Sequence, residues 1–426
     1  MRFEIKHCTF ALVILLGLVL TACQGTIANP PGILLGSPTV VGSLTTEQLD
    51  AISTQYGLLA LAGTAQCNVT MAQINYQTTG VQPGEITNAS GAVLIPGGAN
   101  CPGPFPLVAF ARGTNLFKSH TNADLTDPTA DFLMTFLAAQ GYAVVATDYL
   151  GYALSKYPYH PYMHADTEAS AVIDSIRAAR LAASSLGLTL DGKVMVSGYS
   201  QGGHSAMATQ RAIERDNTGE FNLVAAAHLA GPYYVSAALI DGARNPIAGV
   251  QEFVPFQITA FQKIYGNVYS QTPEIFNAPY DGYIQNLLPA LLDPAMLTSV
   301  LPVGTPLEAQ HAMFKPASVA DLANNPKNPT IVAAQKQDLL GWNPQAPTVL
   351  CGSSGDPTVK FSVNAVALDN DFKSRGVSSV TLVDVASEIQ QKYGSMDPTT
   401  FFSDYHGMLE PPFCIQVARQ LFDQHK

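Results

Sequence analysis

The stretch KVMVSGYSQGGHS, residues 193–205, decides how the rest of the chain is read. An apolar, largely β-branched run at 194–196 feeds Gly198-Tyr199-Ser200-Gln201-Gly202, and a helix-friendly, alanine-bearing segment follows at 206–215. That order predicts a strand, a sharp turn and a helix. The G-x-S-x-G pattern alone recurs by chance, so the flanking strand and helix carry the reading. A serine at the apex of such a turn sits in a strained backbone, while Gly198 and Gly202 remove the Cβ atoms that would collide where strand meets helix. Ser200 Oγ is then pushed into a cleft, with the backbone N–H of Gln201 at the helix N-terminus, where negative charge is stabilised. The plainer alternative is a glycine-rich strand-to-helix turn with Ser200 as a helix cap.

The 426 residues are 47% hydrophobic and only 12% charged, with a formal net charge of −11. Such a chain can bury one large core or a core plus a cap, and its acidity argues against a nucleic-acid partner. No internal repeat or low-complexity tract stands out. The first residues read as a targeting leader: Arg2 and Lys6 supply the positive start, residues 10–20 the apolar run, and Leu20-Thr21-Ala22-Cys23 the processing region. That region resembles the lipobox of bacterial lipoproteins, which implies lipidation of Cys23, export and a membrane anchor in the cell envelope. Gln24 after the cysteine is similar to outer-membrane sorting. Setting aside Cys8 and Cys23 leaves Cys67, Cys101, Cys351 and Cys414. An even number in an exported chain points to two disulfides with three possible connectivities. Cys67 with Cys101 and Cys351 with Cys414 is favoured, because each pair closes a contiguous stretch, worth about 4 kcal/mol in the chain-entropy model. No C-x-x-C pair supports a metal.

Along the chain, a helix is predicted at 46–62, capped by Thr45 or Thr46, and an antiparallel edge hairpin at 68–78 and 86–95. Residues 107–111 read as a strand buried on both faces, ending in Arg112-Gly113-Thr114. Gly113 lets the backbone approach a ligand, so the N–H of Thr114 is the candidate second oxyanion donor. Arg112 is expected to pair with a carboxylate and hold that loop. A helix at 131–140, a strand at 142–147 and a long helix at 165–186 follow. Between the last two lies a tyrosine-rich loop with His160 and His164, where Pro161 argues against a helical metal site. With a further strand at 223–230, the alternation gives a mostly parallel sheet with helices on both faces. From 231 to 342 no strand is evident. That is too long for a structureless loop, so a helical cap is expected over the cleft, its aromatics mostly forming its own core and a minority lining an acyl pocket. The sheet resumes at 348–351 and 379–385, and a helix closes the chain at about 412–423.

Ser200 needs a base, and the base needs an orienting carboxylate. In the order serine, acid, histidine, the acid follows the next-to-last strand and the histidine the last one, which selects Asp356 and His406. Asp384 competes for the acid. His204 and His228 read as structural, and His311 as a distant reserve.

These pieces resemble an α/β-hydrolase and, more narrowly, are similar to the secretory lipase family of yeasts and its bacterial lipase/esterase relatives. The resemblance rests on GYSQGG at 198–203, RGT at 112–114, DYLGY at 148–152, HPY at 160–162, GDPTV at 355–359 and DYHG at 404–407. It covers nearly all of the mature chain. It implies ester hydrolysis without metal or organic cofactor and a large lid between the sixth and seventh strands. Two departures are a longer stretch between Asp356 and His406 and an Arg-Gly-Thr loop in place of the His-Gly of many esterases. The expected organisation is a leader at 1–22, a tether at 23–45, a hydrolase core at 46–230 and 347–426, and a cap at 231–346. Aryl-ester or prolyl-peptide hydrolysis, and a non-catalytic surface-anchored binding protein on the same scaffold, are the competing readings.

Overall fold

In a computed structural model, residues 31–426 are described; the leader, with Cys23 and the anchor expected there, lies outside the described residues. Nine strands are β1 (Thr39–Leu44), β2 (Asn68–Thr79), β3 (Ile86–Gly97), β4 (Phe105–Ala111), β5 (Ala143–Thr147), β6 (Leu190–Tyr199), β7 (Asn222–Leu229), β8 (Thr348–Gly352) and β9 (Val380–Asp384). They form one sheet in the order β1-β2-β3-β5-β4-β6-β7-β8-β9. The β1–β2, β2–β3 and β3–β5 pairs are antiparallel, and every pair from β5–β4 to β8–β9 is parallel. Every residue of β4, β5 and β8 is buried, as strands covered on both faces require.

One face is covered by the helices Pro128–Phe136 and Pro411–Asp423, which contribute Leu133, Phe136, Phe413 and Phe422. The other is covered by Ala165–Ala182 and Gln201–Asp216, with Val172, Ile176, Ala206 and Ile213. Between β7 and β8 no strand joins the sheet; helices from Val235–Arg244 to Pro329–Gln335, with an isolated bridge between Phe276 and Phe314, close around a core of their own that includes Phe256, Phe261 and Phe276. No helix among the described residues is long and apolar enough to cross a membrane.

Three expectations need correction. The tether ends earlier than predicted, because Thr39–Leu44 adds an antiparallel edge to β2. Its residues are mostly exposed, so no apolar alternation marked it. This extra strand also moves the helical insertion to between the seventh and eighth strands in chain order. The helix predicted at 46–62 is two, Thr46–Gln55 and Leu59–Ala62, broken where Gly57 takes φ +66°. The one at 131–140 starts at Pro128 on an Asp127 cap and gives way after Phe136 to a 3₁₀ turn, Ala138–Gln140.

Cys67 bonds Cys101 and Cys351 bonds Cys414, with Cα atoms 5.2 and 5.6 Å apart. The second bridge ties β8 to the last helix, and so joins the two segments that flank Asp356 and His406. All loops of interest leave the same edge of the sheet, the C-terminal ends of the parallel strands, where open α/β sheets bind ligands.

Candidate active site

The turn after β6 is as tight as its sequence demands. Ser200 holds φ +59° and ψ −122°, a strained conformation for a residue with a side chain. Its N–H donates to the Leu229 carbonyl at 2.9 Å, and its own carbonyl accepts from Gly203 N–H at 2.8 Å. A Cβ on Gly202 would lie 1.8 Å from the Ala111 carbonyl oxygen, and one on Gly198 2.1 Å from that of Gly202. Only glycine fits either place, which is why the elbow needs both.

His406 Nε2 lies 2.8 Å from Ser200 Oγ, and its Nδ1 lies 2.7 Å from Asp356 Oδ2. Because a carboxylate oxygen only accepts, Nδ1 carries the proton and Nε2 is left to accept from the serine. The other Asp356 oxygen accepts the backbone N–H groups of Thr358 at 2.7 Å and Val359 at 3.1 Å, which fixes the carboxylate plane. His406 sits in a single π turn, Tyr405–Leu409, whose backbone is anchored by the Tyr199 hydroxyl donating to the His406 carbonyl at 2.6 Å. Asp384, the competing acid, is exposed and accepts the N–H groups of Ser354 and Ala386, both at 3.0 Å. It braces the turn that carries Asp356.

A second carboxylate and a second histidine stand behind the serine on the opposite side. Glu168, from the helix Ala165–Ala182, is wholly buried and receives Gln201 Nε2 at 2.7 Å, Ser205 Oγ at 2.8 Å, His204 Nδ1 at 2.9 Å and Met163 N–H at 3.0 Å. Burial pushes its carboxyl up, but the His204 hydrogen bond and charge, with help from His160 and Gln201, hold it below the usual range. His204 Nε2 meets the Gln337 carbonyl at 3.0 Å, so both ring nitrogens face acceptors and both donate. Sequence reasoning missed Glu168. The available signal was a carboxylate on the apolar stripe of its helix, in line with Ala171 and Val172.

His160 is not free to bind a metal. Its Nδ1 donates to the Leu150 carbonyl at 2.9 Å, and its Nε2 accepts from the Gln201 amide at 2.7 Å. Burial drops it to about 4. His164 Nδ1 instead faces Thr167 Oγ1, at 3.1 Å. His228, inside β7, meets Gln210 Oε1 at 2.7 Å, and His311 is exposed on the insertion.

Arg112 departs from expectation. It is buried with its guanidinium 4.3 Å over the Tyr152 ring, and it donates to the carbonyls of Gly113 and Asp148 rather than to any carboxylate side chain. The Asp148 carboxylate is taken by Ser90, Thr121 and Asn122. Stacking and carbonyl bonds therefore hold the loop after β4, which suits a planar cation in an aromatic pocket. That loop passes the serine closely: a Cβ on Gly113 would be 3.6 Å from Ser200 Cβ. Ser200, Gln201 and Thr114 all line one cavity of about 460 Å³, otherwise walled largely by aliphatic side chains of the insertion such as Val235, Leu239, Val254 and Ile258. Of the insertion's aromatics, Phe253 and Phe314 reach it, while Phe256, Phe261 and Phe276 pack inside.

Comparison with known proteins shows the family. The family model for the secretory lipases matches residues 117–267. A ligand-bound structure of the rice cell wall degrading esterase LipA from Xanthomonas oryzae is 36% identical, covering 93% of this chain and all of that one at a TM-score of 0.83. Lipase A from Candida antarctica shares the fold at 17% identity, with 93% and 90% of the two chains covered and a TM-score of 0.58. No curated protein sequence matches. With its mostly parallel sheet, its strained elbow and an esterase relative aligned along nearly its whole length, the chain belongs to the secretory lipase and LipA-type esterase family of α/β-hydrolases and is a carboxylic ester hydrolase.

Proposed function

We propose that the chain cleaves acyl esters through Ser200, His406 and Asp356 by way of an acyl-enzyme. The observation that carries this reading is the continuous relay, 2.8 Å from serine to imidazole and 2.7 Å from imidazole to carboxylate, opening on an apolar cavity. His406 Nε2 takes the Ser200 proton as Oγ attacks the ester carbonyl, and the same proton then goes to the leaving alcohol. Asp356 holds the imidazole tautomer and offsets its charge. The N–H groups of Gln201 and Thr114 receive the oxyanion, and loss of one such donor would cost on the order of 3 kcal/mol of transition-state stabilisation. Water activated by His406 frees the acid. No step in this sequence calls on a metal or an organic cofactor.

The cavity walls favour an aliphatic acyl group on the side of the insertion, which then acts as a cap over the bound chain. A smaller cavity of about 200 Å³, between Ser200, His406, His120 and Ile415, takes the alcohol. Export fits the two disulfides and the leader, and an anchor at Cys23 would place the enzyme on the cell envelope.

The test is Ser200→Ala. Hydrolysis of p-nitrophenyl esters is expected to fall to background while circular dichroism and melting stay as in the parent; unchanged turnover rejects the assignment. Because the LipA relative is described as degrading the rice cell wall, feruloyl and other aryl esters belong in the same panel as aliphatic esters of increasing chain length. A preference for the aryl esters would overturn the aliphatic acyl reading and leave the triad in place.

A further inference from the structure

A third acidic side chain stands at the site, and the mechanism above does not use it. Glu410 opens the last helix, four residues after His406 and four before Cys414, and it is wholly buried. Ligand-type atoms of Asp356, His406 and Glu410 all lie within 4.8 Å of one another. Neither Glu410 carboxyl oxygen has a hydrogen-bond partner within normal range. The charged and titratable groups around it are Asp356 from the loop after β8, Asp384 at the end of β9, Tyr405 and His406 from the π turn, Tyr199 from β6, and Tyr233. None is a lysine or arginine. An ionised carboxylate there would be a second buried anion beside Asp356 with nothing to offset it, which a protein interior does not tolerate. Burial, then the charge and hydrogen-bonding of Asp356, then Asp384, push the carboxyl well above its ordinary range.

We propose that Glu410 is a protonated positioning residue, a neutral acid whose O–H is available to Asp356, so that one negative charge and not two stands behind His406. The geometry gives it a specific lever. Asp356 accepts the imidazole N–H and two backbone N–H groups, and an O–H turned towards it from Glu410 is a further donor that makes it a weaker acceptor for the imidazolium. Glu410 thereby sets the pH below which His406 stays protonated and idle. The disulfide at Cys414, one helical turn on, ties the start of the helix that carries Glu410 to β8. The inference rests on Asp356 and His406 being the working pair, so its test includes a readout that needs no turnover.

The infrared difference spectrum of the full enzyme at neutral pH, parent minus Glu410→Gln, is expected to show a protonated-carboxyl C=O band above the amide I envelope. Absence of that band refutes the proposal whatever the activity. In kinetics, Glu410→Gln keeps a neutral donor and is expected to hold the acid limb of kcat/KM in place. Glu410→Leu removes the donor, and the limb is expected to move up by about one pH unit, with kcat at pH 6 falling several-fold and KM little changed. A limb that shifts equally in both variants, or in neither, overturns the proposal. Should Glu410→Leu fail to fold, the band and the Glu410→Gln profile still decide it. If instead Ser200→Ala retains activity while the band is present, the catalytic reading fails and the protonation assignment stands.

Discussion

Two histidine–carboxylate pairs flank the same serine, and they are nearly superimposable in length: His406 with Asp356 at 2.7 Å and His204 with Glu168 at 2.9 Å. What separates them is the second ring nitrogen. In His406 it points at Ser200 Oγ, an atom that can give up a proton, and the ring borders a cavity. In His204 it points at the Gln337 carbonyl, which can only accept, and the ring is sealed from solvent. One pair can therefore relay a proton. The other is a static ion pair that binds the first turn of the helix after Ser200, through Gln201 and Ser205, to the helical insertion at Gln337. A carboxylate beside a histidine is thus weak evidence of catalysis until the far nitrogen has been traced.

The sharpest way to break the contrast is to exchange the two histidines' fates. His406→Gln is expected to lower kcat by about 10⁶ with melting unchanged, as loss of a triad base does elsewhere. A loss below tenfold would mean that the relay runs through another group. On the static side, Glu168→Gln leaves His204 without its anion and is expected to destabilise by about 3–5 kcal/mol, read as a drop in the urea midpoint. A stability loss under 1 kcal/mol would mean that the Glu168 cluster is no keystone.

The static side also predicts a pH effect. His160 is held neutral, dropped to about 4 from 6.5 by burial. The unfolded chain therefore binds more protons between those values, so stability present above pH 6.5 is lost as pH falls towards 4, by about 3 kcal/mol from this residue. Unfolding free energies across that window should slope less in His160→Gln than in the parent. An equal slope removes His160 from the account. The smallest effect is expected in the cavity, where Val254→Trp fills space beneath the insertion and should cut kcat/KM for long-chain esters roughly tenfold relative to short ones. A uniform change across chain lengths would show that the acyl group lies elsewhere.

How far the sequence could be read depended on whether a feature was local. The glycines at 198 and 202 announce the elbow, because the collision they avoid lies between residues a few positions apart and a neighbouring strand end. The buried runs of β4 and β5 announce themselves by composition, since a strand covered on both faces has no polar side to show. β1 gave no such sign: it is an exposed edge, and hydrogen bonding to β2 rather than burial makes it a strand. Arg112 looked like a partner for a carboxylate because nothing in RGT reveals that Tyr152 will lie flat beneath its guanidinium.

By itself, the sequence determined the fold class and the tight, glycine-flanked turn at Ser200, because each depends on chemistry written in a short stretch or on the alternation of strands and helices. Only the tertiary structure decided which carboxylates gather around which imidazole. Asp356 comes from the loop after β8, His406 and Glu410 from one turn at the start of the last helix, and Glu168 and His204 from two other helices; they meet because the sheet brings its strand ends to one edge while the Cys351–Cys414 bridge ties β8 to that last helix. Burial then assigns their protons, and burial is a property of the packed molecule that no single stretch of chain possesses.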